Sequence, residues 1–365
     1  YLYTDTYEIL PSAGEVAAAF QRKGKKDITW ETNTNINVGT EFTLFNGILD
    51  GSFEYFNRIT SDMLFSFNVA PSLGYTYYYD NVGDMRNSGV ELSLTANIIN
   101  QRDMQWSVNF NATKVKNKIT YLHDDVKTLE VDGYKGYSDG SYFFGEGLPL
   151  YTRYLKKYAG VDSQTGKSLW YKNVKDENGN ITGTETTDVY SNADFYTCGD
   201  PIPDWYGGFG TSFYFHGFDF SINFSSQIGG KSYDSGYAAS MAPPTQGNTG
   251  SNFHKDVLKS WSKENTGSNI PRFQYADNYT AAASDRFLTD ASYLNIENIN
   301  AGYTFPTKWI SKTGVKSIRI YAAVENVNYW SKRKGFDPRY SFAGSTNATT
   351  YLPVRTVSGG ITLKF

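Results

Sequence analysis

Side chains that could do acid–base or metal chemistry are few and lie far apart in the chain. The three histidines are His123, His216 and His254, and the single cysteine is Cys198. A catalytic set or a metal site needs several such groups close together in space. Neither a serine–histidine–aspartate set nor a phosphate-binding loop is recognisable. The sequence therefore predicts no catalytic residue, no metal site and no cofactor.

Aromatic residues are the better candidates for ligand contact, since they make up 17% of the chain. Two clusters of them lie in segments without strand periodicity. Their rings suit sugar C–H surfaces and protein interfaces alike. Packing of a loop against itself, or an aromatic girdle at a membrane surface, explains them equally well. The candidate ligand-binding residues are Tyr75, Tyr77, Tyr78, Tyr79, Tyr142, Phe143 and Phe144.

The composition of the chain is that of a β protein with many turns. It contains 30 Tyr, 24 Phe and 34 Gly, and its mean hydropathy is −0.49. No apolar run approaches the roughly 18 residues of a transmembrane helix, although barrel strands escape this test because only alternate residues meet lipid. The net charge of −3 offers no basic surface for nucleic acid, which is not expected as a partner.

The last nine residues alternate most clearly between apolar and polar side chains. This is the period of a strand with one apolar face. It fits the terminal strand of an outer-membrane barrel, whose apolar face meets lipid, and it fits the last strand of a soluble sandwich as well. The predicted membrane-insertion residues are Val357, Ile361, Leu363 and Phe365.

The same period predicts about eleven strands between residue 29 and the C-terminus, of which those at 150–161 and 168–174 alternate least regularly. Near residue 300 the apolar residues change phase, which predicts a β-bulge near Glu297 and Asn298. Three charged residues on polar faces are candidates to line an aqueous lumen, although most groups of this kind are simply solvated. These residues are Glu91, Asp219 and Arg319.

Short and long connections alternate along the predicted strands. Outer-membrane barrels follow this rule, with short periplasmic turns and long external loops, whereas sandwiches mix their loop lengths. The sequence therefore favours an all-β, antiparallel transmembrane barrel. Residues 1–28 are predicted to form a surface loop. The predicted extracellular loops cover about 60–87, 119–149, 175–204, 229–291 and 331–353.

About eleven strands are half of a 22-stranded barrel, the size class with a plugged lumen. A half barrel alone would expose unpaired backbone groups to lipid, each at a cost on the order of several kcal/mol. Residues 29–365 are therefore expected to be the C-terminal half of the wall. The remaining strands and the plug are expected upstream in the same protein.

Several stretches resemble the SusC/RagA family of TonB-dependent outer-membrane transporters of Bacteroidetes-type bacteria. Together they span nearly the whole chain in the order of the family. They are Asn87–Leu94, Tyr158–Gly166, Gly199–Gly208, Lys255–Trp261, Ser292–Tyr303, Glu325–Ser331 and Gly335–Pro338, followed by the terminal Phe365.

The resemblance implies active import of a nutrient, an oligosaccharide or a peptide, across the bacterial outer membrane without covalent chemistry. It also implies a SusD-like surface lipoprotein as partner, and a plug pulled by TonB through a segment upstream of this chain. Two other functions remain open from the residues. One is a passive porin or adhesin-type barrel, and the other is a soluble secreted glycan-binding β protein.

Overall fold

The computed structural model describes residues 1–12, 14–246, 250–312, 314–340, 343–344 and 351–365, mostly as antiparallel strands. No helix in this part of the chain is long and apolar enough to cross a membrane. The first twelve strands are β1 (Thr6–Ser12), β2 (Glu15–Arg22), β3 (Thr32–Leu44), β4 (Leu49–Ser61), β5 (Leu64–Asn68), β6 (Tyr77–Asn81), β7 (Gly83–Asn100), β8 (Met104–Leu122), β9 (Leu129–Val131), β10 (Tyr134–Asp139), β11 (Tyr142–Gly145) and β12 (Thr152–Lys156).

The second half of the chain also consists mostly of strands, and its helices are short. Its strands are β13 (Tyr158–Val161), β14 (Ser168–Lys175), β15 (Ile181–Thr187), β16 (Phe195–Thr197), β17 (Trp205–Phe215), β18 (Phe218–Ile228), β19 (Lys231–Tyr233), β20 (Leu288–Asp290), β21 (Tyr293–Thr304), β22 (Ser317–Ser331) and β23 (Thr356–Lys364). The α-helices are α1 (Ser235–Ser240) and α2 (Thr307–Ile310), and single 3₁₀ turns occur at Pro71–Leu73, Asp124–Val126, Tyr190–Asn192, Lys255–Lys259, Asp285–Phe287 and Pro338–Tyr340.

Nine strands form one large sheet, which we call the wall. Their order is β23-β22-β21-β18-β17-β8-β7-β4-β3. Every neighbouring pair in the wall is antiparallel and consecutive among the wall strands. This is the up-and-down connectivity of a barrel wall, and it agrees with the all-β antiparallel fold predicted from the sequence.

Two of the eleven predicted strands lie outside the wall, which is a correction. The segments at 150–161 and 168–174 form β12, β13 and β14, and these strands pair in separate small sheets. They lie in an excursion that runs from the end of β8 to the start of β17. Strands packed within an excursion do not face lipid on one side and water on the other, so their side chains need not alternate.

The connections of the wall alternate in length, as predicted. The short ones are 45–48, 101–103, 216–217 and 305–316. The long ones, called the excursions, are 62–82, 123–204, 229–292 and 332–355. The predicted loops at 119–149 and 175–204 are thus two ends of one excursion. The predicted loop at 331–353 lies partly outside the described residues.

The register of the wall separates an apolar face from a polar face over all nine strands, because directly opposed residues share a face. One register row on the apolar face is Val357, Val324, Ile299, Ile222, Thr211, Val108, Ala96, Leu49 and Leu44. The next row, on the polar face, is Thr356, Glu325, Asn298, Asn223, Gly210, Asn109, Thr95, Asp50 and Thr43.

A bulge at Glu297 keeps the faces of β21 in phase. Ile296 pairs with Phe224 and Asn298 pairs with Asn223, so Glu297 has no partner in β18. The extra residue brings Leu294 and Ile296 onto the face that Ile299 and the following apolar residues share. The predicted bulge is confirmed at this position.

The segment 1–28 is not the irregular loop that its lack of periodicity predicts. It contains the hairpin of β1 and β2, in which Tyr7 pairs with Phe20 and Ile9 with Ala18. The Phe20 ring packs edge-on against Tyr75, with ring centroids 5.7 Å apart. A hairpin that packs against another loop, rather than against one apolar core, leaves no clear two-residue period in its sequence.

The excursions fold into compact structure over the polar face of the wall. Strand residues that are buried beneath them include Phe56, Ile119 and Asn295, at 7%, 1% and 3% exposure. All three lie on the polar face by register. The excursions therefore cover the end of the wall from which they emerge.

Candidate functional site

The four tyrosines between residues 75 and 79, predicted as ligand contacts, lie in the first excursion and are half-buried. Tyr78 stacks on Phe67 at 5.5 Å, and the Arg22 guanidinium lies 5.7 Å from the Tyr79 ring centre. Tyr77 packs edge-on against Tyr79 at 5.9 Å. These rings contact one another and the N-terminal hairpin, so most of their surface is already used within the chain.

In the second predicted aromatic cluster, two of the three rings are buried. Phe143 and Phe144 are 0% and 4% exposed. Phe144 stacks on Tyr137 at 5.1 Å, and Phe143 packs against Tyr154 at 5.8 Å. These two rings stabilise the excursion core and offer no face to a ligand. Their neighbour Tyr142 is half-buried, and its hydroxyl donates to the Ala343 carbonyl at 2.8 Å.

Two of the three predicted charged residues form one ion pair on the polar face. The Arg319 guanidinium contacts both carboxylate oxygens of Asp219, at 2.6 and 3.1 Å. The pair spans β21 above Gly302, where a Cβ atom would come within 2.4 Å of the guanidinium. Glycine at this position therefore makes room for an ion pair between strands that are not neighbours.

A cavity of about 500 Å³ lies on the polar face at the end of the wall where the excursions emerge. We call it the wall cavity. Its wall-strand residues are Asn87, Val115, Asn117, Tyr206, Gln227 and Tyr293. The excursions contribute prolines, Tyr151, Lys231, Ser232 and Arg339 among others. Aromatic rings, amides and a few charged groups in a concave site are typical of a small-molecule binding site.

Register explains why three of these side chains meet. Tyr206 pairs with Gln227, and Gln227 pairs with Tyr293, so the three lie side by side across β17, β18 and β21. The same register row continues through Thr113 to Glu91. The predicted Glu91 thus lies on the polar face, in the row of the wall cavity but outside its lining.

Several polar groups of the wall cavity are already engaged. The Asn117 amide donates to the Asn87 side chain at 2.7 Å and accepts from the Leu150 backbone N–H at 2.7 Å. Arg339 donates through Nε to the buried Asp337 carboxylate at 2.8 Å and lies 5.9 Å from the Tyr293 ring centre. This ion pair neutralises the arginine and orients it beside the ring.

Among the polar groups of the wall cavity, Ser232 and Lys231 are not fully paired within the described residues. The Ser232 hydroxyl is buried, with the residue 1% exposed, and has no hydrogen-bond partner among the described residues. Lys231 is exposed, donates to the Cys198 carbonyl at 3.2 Å, and is in none of the ion pairs found within the described ranges. A buried hydroxyl without a partner is unfavourable, and a bound molecule or water supplies one.

A buried arginine fastens the last excursion next to the wall cavity. Arg153 donates to the carbonyls of Ala343 and Gly344, and its guanidinium lies 4.4 Å from the Tyr142 ring centre. Burial lowers the pKa of this guanidinium below its ordinary value. Gly344 itself lines the cavity, so this contact fixes part of the cavity rim.

The wall cavity could not be predicted from the sequence. Tyr206, Gln227 and Tyr293 lie on polar positions of strands that the two-residue period detects, so their face is readable from the sequence. Their meeting depends on pairings between strands that are distant in the chain, and no local pattern reports these pairings. Arg153 and Lys231 lie in the excursions, where no period applies.

No group of three or more histidine, cysteine or carboxylate side chains that could hold a metal ion occurs in the part of the chain that the structure describes. Cys198 is buried, and burial raises the pKa of its thiol to about 12. It therefore stays protonated and is not a reactive thiolate at neutral pH.

Residues 2–327 match the family model described as the TonB dependent receptor-like β-barrel. The TonB-dependent receptor P3 of Formosa agariphila is 27% identical over 93% of this chain and 34% of its own length. The TonB-dependent receptor SusC of Bacteroides thetaiotaomicron is 26% identical over 93% of this chain and 32% of its own length. The chain thus spans about a third of the curated relatives it matches.

Solved structures agree with the wall topology. The RagAB peptide importer in its closed-closed state superposes on the whole chain with a TM-score of 0.83 and 24% identity, and the chain covers 39% of that protein. A second structure, of the RagAB peptide transporter, gives a TM-score of 0.81 at 24% identity. At this identity the likeness establishes the fold.

Proposed function

We propose that this chain is part of an active nutrient importer, because it belongs to the TonB-dependent receptor-like β-barrel family. Within that family it is SusC/RagA-like, and it is located in the bacterial outer membrane. The apolar face of the wall meets lipid and the polar face lines the lumen. Val357, Ile361 and Leu363, which are 71%, 69% and 48% exposed, extend the apolar face to the last strand, and Phe365 follows at 76%.

The observation that carries this proposal is the wall cavity on the polar face of such a barrel, which combines rings, amides and a buried hydroxyl that has no partner among the described residues. A ligand bound there lies beneath the excursions and beside the lumen. Transport then consists of binding and release, without covalent chemistry, while the rest of the barrel and a plug complete the path.

The proposed partners are those that the family implies. We propose a SusD-like surface lipoprotein above the excursions, and TonB acting on a segment upstream of this chain. The substrate is an oligosaccharide or a peptide, since aromatic and amide groups bind both. Affinity purification of the full-length transporter from its native outer membrane should recover a lipoprotein of that kind, and recovery of the transporter alone would contradict this partnership.

The import proposal is tested by the double substitution Tyr206→Ala and Tyr293→Ala in the full-length transporter. Loss of two ring contacts should lower import of the natural nutrient by about tenfold, with an unchanged amount of protein in the outer membrane. The control is Tyr134→Ala, an exposed tyrosine in an excursion and outside the cavity lining. Equal import by the unmodified protein, the double variant and the Tyr134→Ala control would contradict the role of the cavity.

A passive barrel is the rival function, and deletion of TonB in the host separates the two. Active import should fall to the background level in cells without TonB. Diffusion through a passive porin would continue at the same rate in those cells.

A further inference from the structure

A second concave site lies away from the wall cavity and shares no lining residue with it. It is a cleft of about 510 Å³ between the hairpin of β14 and β15 and the segment 272–282 of the next excursion. We call it the outer cleft. Neither side of it belongs to the wall strands.

Aromatic rings form the floor and the rim of the outer cleft. Trp170 is 1% exposed, stacked against Tyr279 at 5.9 Å and packed edge-on against Tyr190 at 5.1 Å. Tyr275, in contrast, is 58% exposed and lines the cleft. The floor thus consists of packed rings, while the Tyr275 side chain at the rim is largely exposed.

The charges of the outer cleft cancel within it. Lys167 contacts Asp188 at 2.7 Å, and Arg272 contacts Asp277 at 2.8 Å. The hydrogen bond from Lys167 lowers the pKa of the Asp188 carboxyl and raises that of the lysine, so this pair stays ionised and neutral overall near pH 7. No charge of the cleft lining is left uncompensated for an ionic ligand.

Polar groups around the rings remain able to form hydrogen bonds. The side chains of Gln274 and Asn278 are exposed and line the cleft. The Trp170 Nε1–H is buried and has no acceptor among the described residues. A buried donor without an acceptor is unfavourable, which favours an occupant or a water molecule at the floor of the cleft.

We propose that the outer cleft binds a neutral oligosaccharide. The C–H face of a sugar ring stacks on the free face of Tyr275, and the hydroxyls bind the two amides and the ion-paired carboxylates. An acidic sugar would face carboxylates without a spare cation. A peptide could engage the amides but has no regular ring face for the tyrosine. This binding needs neither a lumen nor TonB, so it goes beyond the proposed import.

The test uses the full-length transporter in detergent on an array of neutral, uronate-containing and sulfated oligosaccharides, with hexaglycine as a peptide probe. The probes are applied to the variant with Tyr206→Ala and Tyr293→Ala, in which the wall cavity is impaired, and binding to this variant should be restricted to neutral oligosaccharides. For the strongest of these, Tyr275→Ala should raise the dissociation constant in calorimetry about five- to tenfold, and Asn278→Ala should also weaken binding. Tyr171→Ala is the matched control, because Tyr171 is 38% exposed on β14 and does not line the cleft.

Preference for acidic sugars or hexaglycine would overturn the proposal, as would absence of binding to every neutral oligosaccharide. An unchanged dissociation constant for Tyr275→Ala would also overturn it, because the sugar would then bind elsewhere. The wall cavity variant with Tyr206→Ala and Tyr293→Ala should keep binding at the outer cleft. Loss of import through the wall cavity and loss of sugar binding at the outer cleft are therefore measured separately.

Discussion

Arg153 is a buried cation that has no carboxylate beside it among the residues that the structure describes. Its partners are the carbonyls of Ala343 and Gly344, the Ser141 hydroxyl and the rings of Tyr142 and Tyr233. Carbonyl oxygens and ring faces compensate the desolvated charge only in part, which is why its pKa is lowered. The arginine therefore stabilises the last excursion through directed hydrogen bonds rather than through ion pairing.

Replacement of this arginine tests its role. Arg153→Met keeps a long apolar side chain but removes every donor, and it should lower the free energy of unfolding by about 3 kcal/mol, since hydrogen bonds to charged groups contribute about 1.5–3 kcal/mol each. Denaturation of the full-length protein in detergent measures this, and trypsin should cut the 332–355 excursion faster. Arg102→Met, at an exposed arginine in a short turn, is the control. Equal stability of the two variants would contradict the role of Arg153.

At the scale of the strand, the bulge at Glu297 makes an unusual deletion tolerable. Without Glu297, Ile296 and Asn298 become consecutive and still face Phe224 and Asn223 in turn. The apolar and polar faces of β21 are then preserved. The pairing with β22 already shifts between Ile296 and Asn298, so the change stays local.

Deletion of Glu297 should therefore leave most of the protein folded in the outer membrane. Deletion of Ser221 is the matched control, because β18 is regular there and pairs residue by residue with β17. It should reverse the faces of part of β18, turn Asp219 toward lipid and abolish folding. The fraction that migrates as folded barrel in unheated gels measures both. Similar yields for the two deletions would contradict the assignment of the faces.

The wall was predictable from the sequence because each of its strands separates lipid from water, which imposes a two-residue period. The face of the wall on which residues such as Leu94 and Ile320 lie can be predicted from the adjacent residues in the sequence alone. Excursion strands are packed differently, so Phe143 and Trp170 are buried without any periodic signal. For the same reason, the segments 150–161 and 168–174, which the sequence predicts as wall strands, lie outside the wall.

Neither the wall cavity nor the outer cleft could be predicted from the sequence, because each joins residues that are distant in the chain. The wall cavity joins side chains from β17, β18 and β21, and the outer cleft joins a hairpin to a segment about a hundred residues later. Contacts between residues that are so far apart in the sequence form only when the whole chain folds. Only the residue types, aromatic and amide, could be anticipated.

For the whole molecule, the decisive feature is that the wall has two edges. Strands β3 and β23 each pair on one side only within the described residues. In hydrocarbon, each unpaired backbone group costs on the order of several kcal/mol. The wall is therefore stable in a bilayer only when further strands pair with both edges.

The 365-residue chain alone should consequently fail to form a heat-resistant barrel in lipid vesicles, whereas a full-length protein that supplies the further strands should form one. Co-expression of the chain with the remainder of the protein as a separate polypeptide should restore the barrel, because edge pairing does not require a covalent link. Gel mobility before and after heating measures each case. A heat-resistant monomer of the isolated chain would show that the wall closes on itself, and a heat-resistant dimer would show that two copies pair their edges.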